Sequence, residues 1–123
     1  MINKAPEKFV GIKLHPQQLD LPADSPLYEP YMQLASQNKL PVLFHSQVAA
    51  DWNTKDAQGN FIPTLIEDMS KLDASDPSKI YTLAKKYPDV PVIMGHTGAG
   101  AGALGHKKAL DVILESIKNG DAR

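Results

Sequence analysis

The segment DPSKIYTLAKKYPDVPVIMGH, residues 76–96, indicates the fold of this chain most clearly. Asp76 is a suitable helix N-cap and Pro77 fits the first helical position, so the pattern predicts a helix that begins here. Apolar residues recur at the helical spacing of three and four, and Pro88 ends the pattern. They form the expected buried face, Ile80, Leu83, Ala84 and Tyr87. The segment then becomes a nearly continuous apolar run, and this change of pattern predicts a helix followed by a strand.

Three apolar runs along the chain share this strand-like pattern. They are nearly continuous rather than alternating, which is typical of strands that are covered on both faces. The predicted strands are residues 9–14, 41–46 and 90–95. Amphipathic helices are expected between and after them, at about 29–39, 77–87 and 107–119. Apolar strands that alternate with helices predict a parallel sheet in an α/β domain, with residues 1–123 as one partial domain.

Two of the predicted helices carry an apolar stripe that we expect to lie in the core. In the first of them the stripe contains Tyr31, Leu34 and Ala35. In the last helix the stripe contains Leu110, Ile113, Leu114 and Ile117, with Gly120 placed as the C-cap. Residues 47–75 form the longest irregular stretch, and we expect a short helix within it at 62–69. Loops of this length are usually functional or disordered.

The composition excludes several classes of protein. The chain is 42% hydrophobic and 22% charged, an ordinary globular balance, and its net charge is −1. A balanced charge argues against binding to nucleic acid or to an anionic membrane. The chain has no cysteine, so neither a disulfide framework nor a thiolate site is expected. With neither a signal peptide nor a membrane-spanning run in the sequence, we expect a cytoplasmic protein.

Three of the four histidines follow the three predicted strands. His15, His45 and His96 each stand at a strand's carboxyl end. Ligands and catalytic groups gather at this edge of parallel α/β sheets, and neutral imidazole is the commonest metal ligand. For any one of the three, the alternative is a histidine that caps a loop carbonyl. Taken together, the three favour a site.

The residues around these histidines resemble a known family. The segments GIKLHP (11–16), PVLFHS (41–46), DP (76–77) and PVIMGHTG (91–98) are similar, in order and spacing, to successive strands of amidohydrolase-related metal-dependent hydrolases. That group includes decarboxylases of the aminocarboxymuconate-semialdehyde type. The resemblance implies a (β/α)₈ TIM barrel, of which this chain would supply a part: three parallel β/α units, about strands four to six.

The same resemblance implies roles for individual residues. His45 would be a metal ligand, and His96 a second ligand or the general base. Lys13 would be catalytic, where some relatives carry a carbamylated lysine, or a structural or substrate-side cation. His15, Trp52 and Gly98 would contact a small-molecule substrate; for Trp52 an anchor in the loop core is equally open. The implied cofactor is a divalent metal, with zinc expected, held weakly or not at all by the isolated chain.

The chain also departs from the family pattern. No two histidines stand two residues apart, so the His-x-His pair of the family's first strand is absent. The aspartate that ends its eighth strand is absent too, since Asp111 and Asp121 lie in or after the last predicted helix. We therefore expect a fragment that is inactive or nearly so alone. Sheet edges left unpaired would favour self-association.

Two other functions stay open from the sequence. Residues 100–105, GAGALG, match the dinucleotide-binding pattern G-x-G-x-x-G between a strand and a helix. They would more simply form a flexible loop over the site, or hold a phosphate or carboxylate ligand in a small α/β binding module. His106 is expected to face solvent. A third alternative is a structural half that completes its barrel with a separate chain.

Overall fold

A computed structural model describes the chain at residues 8–47, 50–51, 55–60, 64–65, 74–99 and 103–121. Within these residues the fold is α/β. The strands are β1 (Ile12–Leu14), β2 (Val42–Gln47), β3 (Ala50–Asp51), β4 (Thr64–Leu65) and β5 (Val92–Ala99). The helices are α1 (Pro16–Leu19), α2 (Glu29–Asn38), α3 (Pro77–Ala84) and α4 (Ala103–Lys118), and a 3₁₀ turn (Pro26–Tyr28) precedes α2.

The main sheet is parallel, in the order β1-β2-β5. Leu14 of β1 pairs with Phe44 of β2, which pairs with Met94 of β5. Helices alternate with these strands along the chain, as in three successive β/α units of a barrel. The predicted fold class, α/β with three parallel units of a partial TIM barrel, is therefore confirmed.

The two faces of the sheet differ in burial. Val42, Phe44 and Ser46 point toward the helices and are fully buried. On the opposite face Lys13 is exposed, and Ile93 is 51% exposed. The expectation that both faces are covered is thus wrong for the described residues, because their helices pack on only one side of the sheet.

The core lies between the helices and the middle of β2. Phe44 and Tyr28 meet edge to face, with their ring centroids 5.9 Å apart. The hydroxyl of Tyr28 donates a hydrogen bond to the Leu21 carbonyl at 3.0 Å, which satisfies its only polar group. Burial, helped by the nearby Tyr31, raises the pKa of Tyr28 to about 12. Met32, Ile80 and Leu83 are fully buried around this pair.

α3 begins as the sequence predicts. The Asp76 side chain caps it by accepting a hydrogen bond from the Ser78 amide at 2.8 Å, and Pro77 occupies the first turn. Asp76 is only 2% exposed and also forms an ion pair with Lys108 of α4 at 2.6 Å. One buried carboxylate therefore starts α3 and fastens α4 to it.

The apolar stripe of α4 does not lie in the core. Ala109 and Val112 are buried, whereas the four predicted core residues are 37–58% exposed: Leu110, Ile113, Leu114 and Ile117. The prediction for this stripe is wrong, because α4 packs on α3 and β5 with Ala109 and Val112 buried, and nothing in the described part of the chain covers the larger side chains. In α2 the predicted stripe is confirmed in part: Ala35 is buried, but Tyr31 is exposed, and Met32 is buried instead.

Other element boundaries also differ from the prediction. β5 continues to Ala99, α3 ends at Ala84, and α4 begins at Ala103. Thr64–Leu65 pairs with β3 in an antiparallel ladder, so the short helix expected at 62–69 is wrong at these two residues. The rest of that helix lies outside the described residues. No helix in the described ranges is both long and apolar enough to cross a bilayer.

Candidate functional site

The structure brings the three strand-end histidines together. The His15 and His45 rings are stacked, with centroids 3.9 Å apart and an interplanar angle of 13°. The His45 and His96 rings meet edge to face at 4.8 Å and 65°. Because β1, β2 and β5 are adjacent and parallel, the residues at their carboxyl ends converge at one edge, as the sequence predicts for this cluster.

Ring geometry decides which of these histidines could share a metal ion. An imidazole lone pair lies in the plane of its ring, so two rings stacked one above the other in nearly parallel planes cannot both point at one ion. His15 and His45, only 13° from parallel, are therefore not joint ligands in this arrangement. The planes of His45 and His96 cross at 65°, so the constraint that separates His15 from His45 does not apply to this pair.

The fit to a metal ion is partial. A catalytic zinc site usually has three protein ligands and one open position. Within the described ranges, no group of three histidine, cysteine, aspartate or glutamate side chains is arranged to hold an ion. His45 and His96 could thus supply two ligands of a larger set.

Hydrogen bonds orient two of the rings. Nε2 of His45 lies 3.1 Å from the Gln47 side-chain oxygen, an acceptor, so Nε2 carries the proton and the lone pair of the neutral ring is on Nδ1. Nδ1 of His15 accepts from the Gln18 amide at 3.4 Å and caps α1. His15 therefore has a structural role beside its predicted contact with a substrate.

Two buried serines, which sequence reasoning missed, tie the strand ends together. The Ser46 hydroxyl donates to the Gly95 carbonyl at 2.8 Å and so links β2 to β5. The Ser75 side chain accepts from the Gln17 amide at 3.2 Å, and its carbonyl accepts from the Gln47 amide at 2.9 Å. The signal available in the sequence was Ser46 itself, a polar residue directly after His45 at a core-facing strand position.

The backbone at His96 is unusual. His96 and Thr97 have φ angles of +60° and +45°, a left-handed conformation that is rare outside glycine. Between His45 and Gln47, β2 advances two residues while β5 advances four, from Gly95 to Ala99. The extra residues form a bulge, and bulges next to active sites commonly redirect a side chain.

Lys13 lies on the open face of the sheet, beneath the histidines. Its ammonium is 3.5 Å from the point where a side chain on Gly95 would begin, so it reaches across β2 toward β5. Partial burial of its ammonium lowers its pKa. The pKa of His15 is also lowered, first by burial and then by electrostatic interaction with His45 and Lys13. A cation is thus available beside the histidine cluster.

The structure describes only some of the remaining predicted site residues. Gly98 belongs to β5 rather than to a loop. Trp52 and residues 100–102 of the glycine-rich motif lie outside the described residues, so the substrate contact of Trp52, the loop over the site, the dinucleotide site and the binding module stay predictions. His106 is exposed, as expected, but its Nδ1 also lies 2.7 Å from the Thr97 carbonyl.

A cavity of about 370 Å³ lies between α3, α4 and β5, and no histidine lines it. Its lining, which includes Met94, Val112 and Ile113, is mostly apolar. It runs along the edge of β5 that has no neighbour among the described strands. We therefore interpret it as a packing groove rather than as the site of chemistry.

Comparison with known proteins supports one family. The amidohydrolase family model matches residues 5–121, which is nearly the whole chain. No curated protein and no solved structure gives a significant match.

Proposed function

This chain belongs to the amidohydrolase family, and on that premise we propose that it contributes to a metal-dependent hydrolase that cleaves an amide, ester or lactone. A related non-oxidative decarboxylase is the alternative within the same proposal. The observation that carries it is the pair His45 and His96, whose rings meet at 4.8 Å on neighbouring strand ends. We assign the three units to strands four to six of the barrel, close to the aminocarboxymuconate-semialdehyde decarboxylases.

The geometry supports the roles that we propose for individual residues. His45 has Nδ1 available as a ligand, because Nε2–H donates to Gln47. His96 supplies a second ligand or acts as the general base. Lys13, as an exposed cation on the same face, would hold an anionic group of the substrate. A divalent ion, with zinc proposed, would provide Lewis acidity toward water and a carbonyl group.

Zinc titration of three variants tests this proposal. We expect the wild-type chain to bind zinc weakly, as a site with two histidine ligands would, and His45→Ala or His96→Ala to weaken binding by more than the ~10-fold typical of losing an outer-shell partner. His15→Ala is the matched control, because its ring is stacked against His45 and cannot share the ion. Isothermal titration calorimetry measures all four proteins. Absence of zinc binding in the wild type would contradict the proposal. So would a loss of zinc affinity in His15→Ala as large as in the His45 and His96 variants.

We also propose that the chain associates with a second copy of itself. The outer edge of β5 has no partner among the described strands, and unpaired edges are templates for another strand. The exposed Ile113 lines the groove beside this edge, so one interface could bury both features. A net charge of −1 gives little repulsion between copies.

Sedimentation velocity at increasing protein concentration tests this association. We expect a concentration-dependent dimer that Ile113→Lys abolishes. Leu27→Lys is the control, because Leu27 is 67% exposed but precedes α2, on a different helix from Ile113. A wild-type chain that stays monomeric throughout, or a dimer that Ile113→Lys leaves intact, would overturn it.

A further inference from the structure

The backbone on both sides of His96 is held by side chains from other elements. On one side, the Ser46 hydroxyl of β2 donates to the Gly95 carbonyl at 2.8 Å. On the other, Nδ1 of His106 in α4 lies 2.7 Å from the Thr97 carbonyl. The backbone on both sides of His96 is therefore held by hydrogen bonds from side chains outside β5.

The contact with Thr97 determines which ring nitrogen of His106 carries a proton. A carbonyl oxygen only accepts hydrogen bonds, so Nδ1 must carry the proton and donate it. The His106 ring thus acts as a donor aimed at one backbone oxygen. Its other nitrogen, Nε2, is not needed for this contact.

These two hydrogen bonds act where the backbone is strained. His96 and Thr97 are two successive non-glycine residues with positive φ, and such conformations persist only when the surroundings impose them. Without a donor at Gly95 or Thr97, the turn would relax toward ordinary φ values. A change of φ at His96 redirects its side chain, so the contact between the His96 and His45 rings would be lost.

We propose that Ser46 and His106 are positioning residues that hold the His96 ring against His45. Neither side chain needs to touch a substrate or an ion, because both act through the backbone. This inference deepens the proposed function and rests on His96 being a site residue. It assigns His106 a role other than that of a metal ligand.

A set of His106 variants tests the proposal without metal. Asparagine places an N–H close to where Nδ1–H lies in histidine, whereas glutamine places its N–H near the position of Nε2. We expect a nuclear Overhauser effect between the His45 and His96 rings in the wild type and in His106→Asn, and its loss in His106→Gln and His106→Ala. Persistence of this effect in His106→Ala, or its absence from the wild type, would overturn the proposal.

Ser46 is tested in the same way. Ser46→Ala is expected to lose the ring contact while the core, reported by the Tyr28 and Phe44 resonances, stays folded. Because Ser46 is fully buried, this variant could fail to fold; the exposed His106 then carries the test. A folded Ser46→Ala that keeps the ring contact would remove Ser46 from the proposal.

Titration with zinc alone separates this inference from the proposed function. His106→Ala is expected to weaken zinc binding about tenfold, as loss of an outer-shell partner does, and His106→Asn to restore it. If His106 were itself a ligand, asparagine would not restore binding, and that result would overturn the inference. Absence of zinc binding in the wild type would instead refute the proposed function, while the ring contact would still test the positioning.

Discussion

Replacing Phe44 with alanine is expected to lower the free energy of unfolding by about 3–5 kcal/mol, the usual cost of deleting a buried aromatic ring. Phe44 is fully buried at the centre of the middle strand, and its ring contacts Tyr28 edge to face. The cavity left behind cannot collapse easily, because β1 and β5 hold β2 on both sides. Urea unfolding followed by circular dichroism measures the change.

The neighbouring residue supplies the control. Leu43 lies on the open face of the same strand and is only partly buried. Leu43→Ala removes a side chain one residue away without opening the core, so we expect it to lower the free energy of unfolding clearly less than Phe44→Ala does. Equal losses of stability in the two variants would mean that the sheet is covered on both faces.

Lys108→Met is expected to cost about 2 kcal/mol of stability near neutral pH, since it leaves a buried carboxylate without its cation. Asp76 is 2% exposed and its pair with Lys108 spans 2.6 Å. This loss is smaller than the full cost of breaking a buried pair, because the Lys108 side chain is 31% exposed. Guanidinium unfolding of wild type and variant gives the difference.

The adjacent lysine provides a matched control. Lys107 pairs with Asp111 at 2.6 Å, but their side chains are 70% and 56% exposed. Exposed pairs contribute little, so Lys107→Met is expected to change stability by at most ~0.5 kcal/mol. A Lys107→Met variant as destabilised as Lys108→Met would show that burial of Asp76 is not the cause.

The effect of Lys108→Met should also depend on pH. Burial raises the pKa of Asp76, but the hydrogen bonds from Lys108 and Ser78 outweigh it, so the pKa lies below its ordinary value. A carboxyl whose pKa is lowered by folding stabilises the fold above its unfolded pKa, and that contribution is lost as pH falls through the folded pKa. The difference in the free energy of unfolding between wild type and Lys108→Met should therefore become smaller below about pH 4. If the stability difference stayed constant in acid, ionised Asp76 could not be its cause.

Local signals made much of the fold predictable. Asp76 and Pro77 mark the start of α3 by their own chemistry, and Gly120, with φ of +74°, follows α4 as expected. Which apolar side chains are buried depends instead on neighbours. α4 is amphipathic, but Val112 faces the core and Leu114 does not, because the contact with β5 and α3 selects the face.

The candidate site was predictable only in part. That His15, His45 and His96 meet follows from parallel strands, whose carboxyl ends share one edge. Their relative orientation does not follow from sequence, because it depends on a bulge in β5 and on two positive φ angles. His106 lies nine residues from Thr97, and nothing in its local pattern indicates a contact with that carbonyl.

Anomalous diffraction at the zinc absorption edge, from crystals of the wild-type chain grown with zinc, shows directly whether His45 and His96 share a metal ion. We expect an anomalous peak about 2.0–2.1 Å from a ring nitrogen of both His45 and His96, with none on the His15 ring. A peak held by His15 and His45 together, or no peak at the carboxyl ends of β2 and β5, would contradict it.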